Sequence, residues 1–160
     1  MGPKKEKKAD GSSSSEEEEP ENLSYKIIIL GNAKVGKTQV VCRYCDEAFT
    51  KNYKKTIGVD FFQKRLELSA DINISLQIWD VDGTAISGKM LDTYVHDANA
   101  IIFVYDVTDA ESFTSIDFWN REVALVSKGQ LAGKDAPIKV LLGNKNDLAH
   151  LSKVENNKHK

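Results

Sequence analysis

From residue 25 onward the hydrophobic positions fall into two textures. Tyr25-Lys26-Ile27-Ile28-Ile29-Leu30 is a short apolar run, rich in β-branched residues and closed by Gly31. Such a run predicts a strand buried on both faces, as in a parallel sheet. Ala100 to Tyr105 and Ile138 to Leu142 predict two more. Between these runs the spacing changes. Val40, Val41, Tyr44, Cys45 and Ala48 recur at helical intervals, and so do Phe113, Ile116, Trp119, Val123 and Val126. Strands alternating with helices predict an α/β sheet.

Two segments follow another rule. Phe61 to Leu68 and Ile72 to Trp79 alternate around a short turn at Ala70-Asp71, which predicts a hairpin. One antiparallel edge strand then joins an otherwise parallel sheet. Ile72, Ile74, Leu76 and Ile78 share one face, leaving Asn73, Ser75, Gln77 and Trp79 on the other. In the first strand Phe62, Leu66 and Leu68 oppose Phe61, Gln63, Arg65 and Glu67. Phe61 and Trp79 therefore share faces with polar residues.

Residues 1–24 carry neither texture. Lys4, Lys5, Lys7 and Lys8 lead into Ser12 to Ser15, then Glu16 to Glu19 and Pro20. So little apolar surface cannot offset the entropy of ordering, and a disordered tail is expected. The serines stand where an acidophilic kinase would act; a solubilising tail is the plainer reading. A folded domain is expected over 25–150, with a polar tail over 151–160.

Composition narrows the classes. The length of 160 residues suits one domain, and 41% hydrophobic content suffices for a core. Lys+Arg 22 against Asp+Glu 24 leaves a net charge of -2, so no basic face points to nucleic acid or membrane. Cys42 and Cys45 are too few for a disulfide framework, and one helical turn apart they read as small packing residues. No apolar run approaches the roughly 20 residues of a membrane span. Pro3 and Glu6 fail the myristoylation pattern. A soluble, cytosolic, monomeric protein is expected, with His96, His150 and His159 at the surface.

Three motifs carry chemistry. Gly31-Asn32-Ala33-Lys34-Val35-Gly36-Lys37-Thr38 fits G-x-x-x-x-G-K-[ST] between a predicted strand and helix. Its glycines let backbone N–H groups close on phosphate oxygens at the positive end of a helix dipole. Lys37 would reach the β- and γ-phosphates, and the Thr38 hydroxyl would ligate Mg²⁺. The nucleotide-binding run is expected to extend from Gly31 through Gln39. Asp80 ends a predicted strand three residues before Gly83, where a magnesium partner acting through water belongs. Asn144-Lys145-Asn146-Asp147 follows the Ile138 strand directly. Asp147 can accept two hydrogen bonds from a guanine edge, while Asn144 and Lys145 brace the pocket.

Together these motifs resemble those of the Ras-superfamily GTPases, specifically the Rab branch, over roughly residues 25–150. Thr56-Ile57-Gly58-Val59-Asp60-Phe61 is similar to the Rab effector-loop signature, and Ser87 to Tyr94 resembles the divergent Rab subfamily numbered twenty-eight. The resemblance implies a three-layer P-loop NTPase fold binding GTP or GDP with Mg²⁺. It makes Thr56 a second magnesium ligand, ordered with GTP. It places Phe49 beside the guanine and Tyr53 in the first switch, and makes Ile57, Phe61, Trp79 and Tyr94 an effector patch. It further implies effectors, an exchange factor and a GTPase-activating protein as partners, and a role in vesicle trafficking.

The sequence departs from that pattern in three places. The glutamine usual after the glycine matching Gly83 is Thr84, and none occurs between Gln77 and Gln130. The loop carries Ala33 and an unusual Lys34. The family's last strand, helix and C-terminal cysteines have no counterpart through Lys160, so an incomplete domain without a prenyl anchor is expected. A prenylated longer form would sit on endomembranes. Gly83 and Thr84, with Lys37 and Thr56, are the expected catalytic group, and slow hydrolysis follows. The alternative is an effector-binding module with negligible turnover. An ATP-dependent P-loop kinase fails on Asp147 and the Thr56 loop.

Overall fold

The computed structural model describes residues 19–47, 55–84, 88–126 and 136–154. Five strands form one sheet: β1 (Glu21–Leu30), β2 (Val59–Ser69), β3 (Ile72–Val81), β4 (Ala100–Asp106) and β5 (Ile138–Asn144). Their order is β2-β3-β1-β4-β5, with only the β2–β3 pair antiparallel. Among the described residues three helices cover it: α1 (Lys37–Asp46), α2 (Gly88–Val95) and α3 (Ala110–Val126). A short 3₁₀ segment spans Asn146–Leu151. The mixed α/β sheet and its antiparallel hairpin match the expectation from the alternating patterns.

β1 explains why an unbroken apolar run was the right signal. Ile28 and Leu30 enter a core with Leu91, Tyr94 and Val95 of α2 and with Trp119 and Val123 of α3. Ile29 turns the other way, to Val41 of α1, Ile78 and Val104. With helices on both faces, the run is fully buried over Ile28, Ile29 and Leu30, and its start at Tyr25 remains exposed. β1 nevertheless begins at Glu21, not Tyr25. Glu21 to Ser24 pair with Ile72 to Ser75 of β3, so ladder hydrogen bonds extend the strand past its apolar stretch.

Two expectations about burial fail. Ile138, Val140 and Leu141 were read as a buried strand but are exposed. β5 pairs with β4 alone and is the sheet's edge among the described residues, so its apolar side chains lack cover. Leu66 and Leu68 are exposed as well. They lie toward the hairpin turn, away from Phe62, Leu76 and Ile78, which pack beneath the sheet. Periodicity assigns a face; it does not say whether anything covers that face. Ala48 of the α1 pattern lies outside the described residues. No helix among them is long and apolar enough to cross a membrane.

The packing makes a direct forecast. Ile28→Ala removes a fully buried side chain between α2 and α3 and should cost about 2–5 kcal/mol. Leu68→Ala, at a position 66% exposed, should cost less than about 0.5 kcal/mol. Urea denaturation of both variants against the parent measures the difference.

Candidate functional site

Polar groups collect at the carboxyl edge of the sheet. Asp80 lies at the end of β3, Asp106 at the end of β4, and Asn144 at the end of β5. The Gly31–Gly36 loop leaves β1 between β3 and β4, where successive connections run to opposite sides of β1. A doubly wound sheet has its crevice at such a reversal.

The loop follows a path few residues permit. Gly31 has φ 143, and a Cβ there would stand 2.1 Å from the Val104 carbonyl oxygen. Gly36 has φ 96, and its Cβ would meet the Asn144 side-chain nitrogen at 2.3 Å. Lys34 is also left-handed, at φ 66. From the opposite side Gly83 presses on the loop, its missing Cβ 2.3 Å from the Ala33 nitrogen. Val35 is a core side chain, so this position contributes only backbone to the cleft.

Lys37 folds back into the loop, its Nζ donating to the carbonyls of Gly31 at 2.8 Å and Asn32 at 2.9 Å. Burial lowers its pKa, while the charges of Asp80 and Asp82 pull the other way. Thr38 follows on α1. Its hydroxyl donates to Asp80 Oδ2 and lies 3.0 Å from the Thr56 hydroxyl, which itself reaches the same carboxylate oxygen at 3.4 Å. Thr38, Thr56 and Asp80 therefore converge from three segments. Burial raises the Asp80 pKa; hydrogen bonds from Thr38 and the charge of Lys37 offset that only partly. Its other oxygen, Oδ1, is buried with no hydrogen-bond partner. Two hydroxyls and a buried, under-compensated carboxylate form a hard oxygen donor set, which fits Mg²⁺. Ala33, Lys34, Gln39, Asp82 and Gly83 complete the walls of the cleft.

The second half of the site is tied to the first. Asn144 Nδ2 donates to the Val35 carbonyl at 2.8 Å, joining β5 to the loop. Lys145, left-handed at φ 62, places its ammonium 2.5 Å from Asp106 Oδ2. Asp147 lies in the first turn of the 3₁₀ segment and is exposed. Asn32 accepts from Trp119 Nε1 at 2.9 Å and donates to Ser115 Oγ at 3.0 Å, which anchors the loop to α3.

Thr84 is exposed, and its amide and hydroxyl both donate to the Asp82 carboxylate at 2.9–3.0 Å. The expected patch divides. Ile57 is 86% and Phe61 63% exposed, whereas Tyr94 is buried at 7%. Leu91, Tyr94 and Val95 form the inward stripe of α2, and this turns Tyr94 into the core. Trp79 bridges the two environments, 4.6 Å from Phe61 and 6.1 Å from Tyr94 between ring centroids, with the Lys26 ammonium 4.0 Å above its ring. Phe49 and Tyr53 lie outside the described residues.

Sequence reasoning missed Asp82 and Asp106. Both stand, as Asp80 does, at or just beyond the end of an apolar strand. Trp119 was read as packing alone; it is 1% exposed and also donates to the loop.

Comparison with known proteins places the chain. Residues 26–160 match the Ras family. The chain is 36% identical over 143 residues to the Ras-related protein Rab-28 of Caenorhabditis elegans, covering 89% of this chain and 56% of that protein. It is 40% identical over 126 residues to the Ras-related protein Rab-7L1 of Rattus norvegicus, covering 78% and 60%. It is 37% identical over 131 residues to the GTP-binding protein YPT1 of Saccharomyces cerevisiae, covering 82% and 60%. The chain thus spans 56–60% of the length of these relatives.

The Asp106–Lys145 pair makes the site acid-sensitive in a defined direction. Burial alone would raise the Asp106 pKa, but hydrogen bonds from Lys145 and Thr108 outweigh it and hold the carboxyl below the ordinary value. A depressed carboxylate stabilises the fold above its unfolded pKa, and that contribution is lost as pH falls through the folded value, below about pH 4. Asp106→Asn should lower stability at neutral pH by on the order of 1–2 kcal/mol. The gap between parent and variant should close on acidification. Thermal denaturation of both proteins between neutral pH and about pH 3 measures it.

Proposed function

The chain belongs to the Ras family, within its Rab branch, and from that premise we propose that it is a guanine-nucleotide switch with slow GTP hydrolysis. The observation that carries this reading is the convergence of Thr38, Thr56 and Asp80 beside Lys37 at the mouth of the loop. These three residues would hold Mg²⁺, which supplies charge neutralisation of the phosphate oxygens when bound. The Gly31–Gly36 loop and the start of α1 present backbone N–H groups to the phosphates. Lys37 exchanges its two loop carbonyls for phosphate oxygens at the same place. Asn144 holds the loop, Lys145 is fixed by Asp106, and Asp147 selects guanine through its two acceptor oxygens.

No side chain needs to act as a nucleophile. Water attacks the γ-phosphate in line, and the protein positions it and stabilises charge. Thr84 is poorly suited to hold that water, because its hydroxyl and amide are both given to Asp82. The same observation favours a second reading, a nucleotide-dependent binding module with negligible turnover. In either case Ile57 and Phe61 offer an exposed apolar surface to protein effectors. An exchange factor and a GTPase-activating protein are the remaining partners, and vesicle trafficking is the setting its Rab relatives suggest.

Two measurements test the proposal. Asp147→Asn should shift preference from guanine toward xanthine nucleotides, because one acceptor oxygen becomes a donor amide. Competition among GTP, ATP and XTP for parent and variant checks this; equal ATP and GTP affinity in the parent would refute guanine selectivity. Thr84→Gln should raise single-turnover GTP hydrolysis by about tenfold to a hundredfold, through better positioning of water. Rates agreeing within about twofold would assign the water to another group.

A further inference from the structure

Asp82 is a second carboxylate at the phosphate end of the cleft, and the assigned ligand set does not use it. It is 7% exposed and lines the same walls as Lys37, Thr38 and Thr56. Its backbone fixes its place. The Asp82 amide donates to the Gly58 carbonyl at 2.8 Å, and Gly83 after it rests on the backbone of Asn32 and Ala33. Its side chain is fixed as well, accepting from the Thr84 amide at 2.9 Å and from the Thr84 hydroxyl at 3.0 Å on both oxygens. The carboxylate cannot turn away without losing those bonds.

The charge balance follows. Lys37 is the buried cation here, set against the carboxylates of Asp80 and Asp82, and the exposed Lys34 stands at the rim of the same cleft. Asp80 shares its Oδ2 with Thr38 and Thr56, the residues that fit a divalent cation. Asp82 shares no hydrogen bond with either, so its negative charge stays on the wall of the cleft that it lines with Lys37, where the reading above puts the terminal phosphate. Resting on the switch reading above, we propose that Asp82 is a specificity-determining residue that disfavours guanosine triphosphate relative to the diphosphate. The triphosphate brings additional negative charge to that wall, and the repulsion acts on it selectively. Thr84 is then a positioning residue, holding the carboxylate in place.

Equilibrium displacement of a fluorescent GDP, in excess Mg²⁺, by unlabelled GDP and by the β,γ-imido analogue of GTP tests this without turnover. Asp82→Asn keeps the shape and an acceptor but removes the charge. It should raise the affinity for the analogue relative to GDP by about tenfold or more, the scale of two unit charges roughly 10 Å apart at an effective dielectric near 20. Asp82→Ala should move the ratio the same way, and it carries the test if the Asn variant fails to fold. A parent that binds neither nucleotide overturns the switch reading itself. A parent that binds both, with a ratio unchanged in the folded variant, overturns only the role of Asp82. An equal gain for both nucleotides does the same, because the charge then does not distinguish the terminal phosphate.

Discussion

A carboxylate buried at the end of a central strand must be met by charge or hydrogen bonds, and Asp80 is that group here. It is 0% exposed, with one oxygen bonded to Thr38 and the other to nothing. Burial still dominates its pKa, so the compensation from Thr38 and Lys37 is incomplete. A site left short of positive charge in this way is built to receive a cation. The neighbouring segments are organised by the same need. α1 begins with Lys37 and Thr38 at this point, and the segment before β2 delivers Thr56 to the same oxygen.

The loop that faces Asp80 is held from three directions by unlike interactions. Asn144 grips it from β5, Trp119 and Ser115 grip Asn32 from α3, and Gly83 bears on its backbone from the end of β3. Since φ 143 at Gly31 and φ 96 at Gly36 are ordinary only for glycine, the curve is set by the backbone itself. Its donors are therefore oriented before any ligand arrives, which is the preorganisation an anion site requires. The core supports this arrangement directly. Trp119 is buried beside Ile28 and Leu30, so the α3 anchor moves only if the hydrophobic core moves with it.

Much of this was legible in the sequence, and the failures have physical reasons. β1 and β4 were read from apolar runs because helices lie on both faces and most of each run is buried. The same signal misplaced β5, since exposure depends on what lies beyond the strand. Tyr94 was assigned to the surface, yet the helical spacing of Leu91, Tyr94 and Val95 already defined an inward stripe. Asp80 was found because a motif names its position. Asp82 and Asp106 went unread because no motif names theirs, although a carboxylate just past a strand end is hard to place at the carboxyl edge without a partner. Nothing in the pattern told that Trp119 would donate to Asn32; that bond depends on how α3 crosses the loop.

The site joins a rigid half to a loosely attached one. The loop, Lys37 and Asn144 are fixed by core packing and by short hydrogen bonds from neighbouring elements. The segment carrying Thr56, Ile57 and Gly58 is tethered differently. The Asp82 amide bonds the Gly58 carbonyl, and the Thr56 hydroxyl meets Thr38 and Asp80, while Ile57 between them is 86% exposed. A tether of few polar contacts and almost no buried apolar surface lies at the low-stability end of a fold. Its strength depends on what occupies the oxygens it reaches, because Thr56 shares its carboxylate with Thr38. Ile57 thus stands on a segment anchored through the Thr56 hydroxyl to the Asp80 carboxylate and through the Gly58 carbonyl to Asp82. Asp82 makes the second of these tethers, its amide donating to the Gly58 carbonyl, while its carboxylate accepts from Thr84.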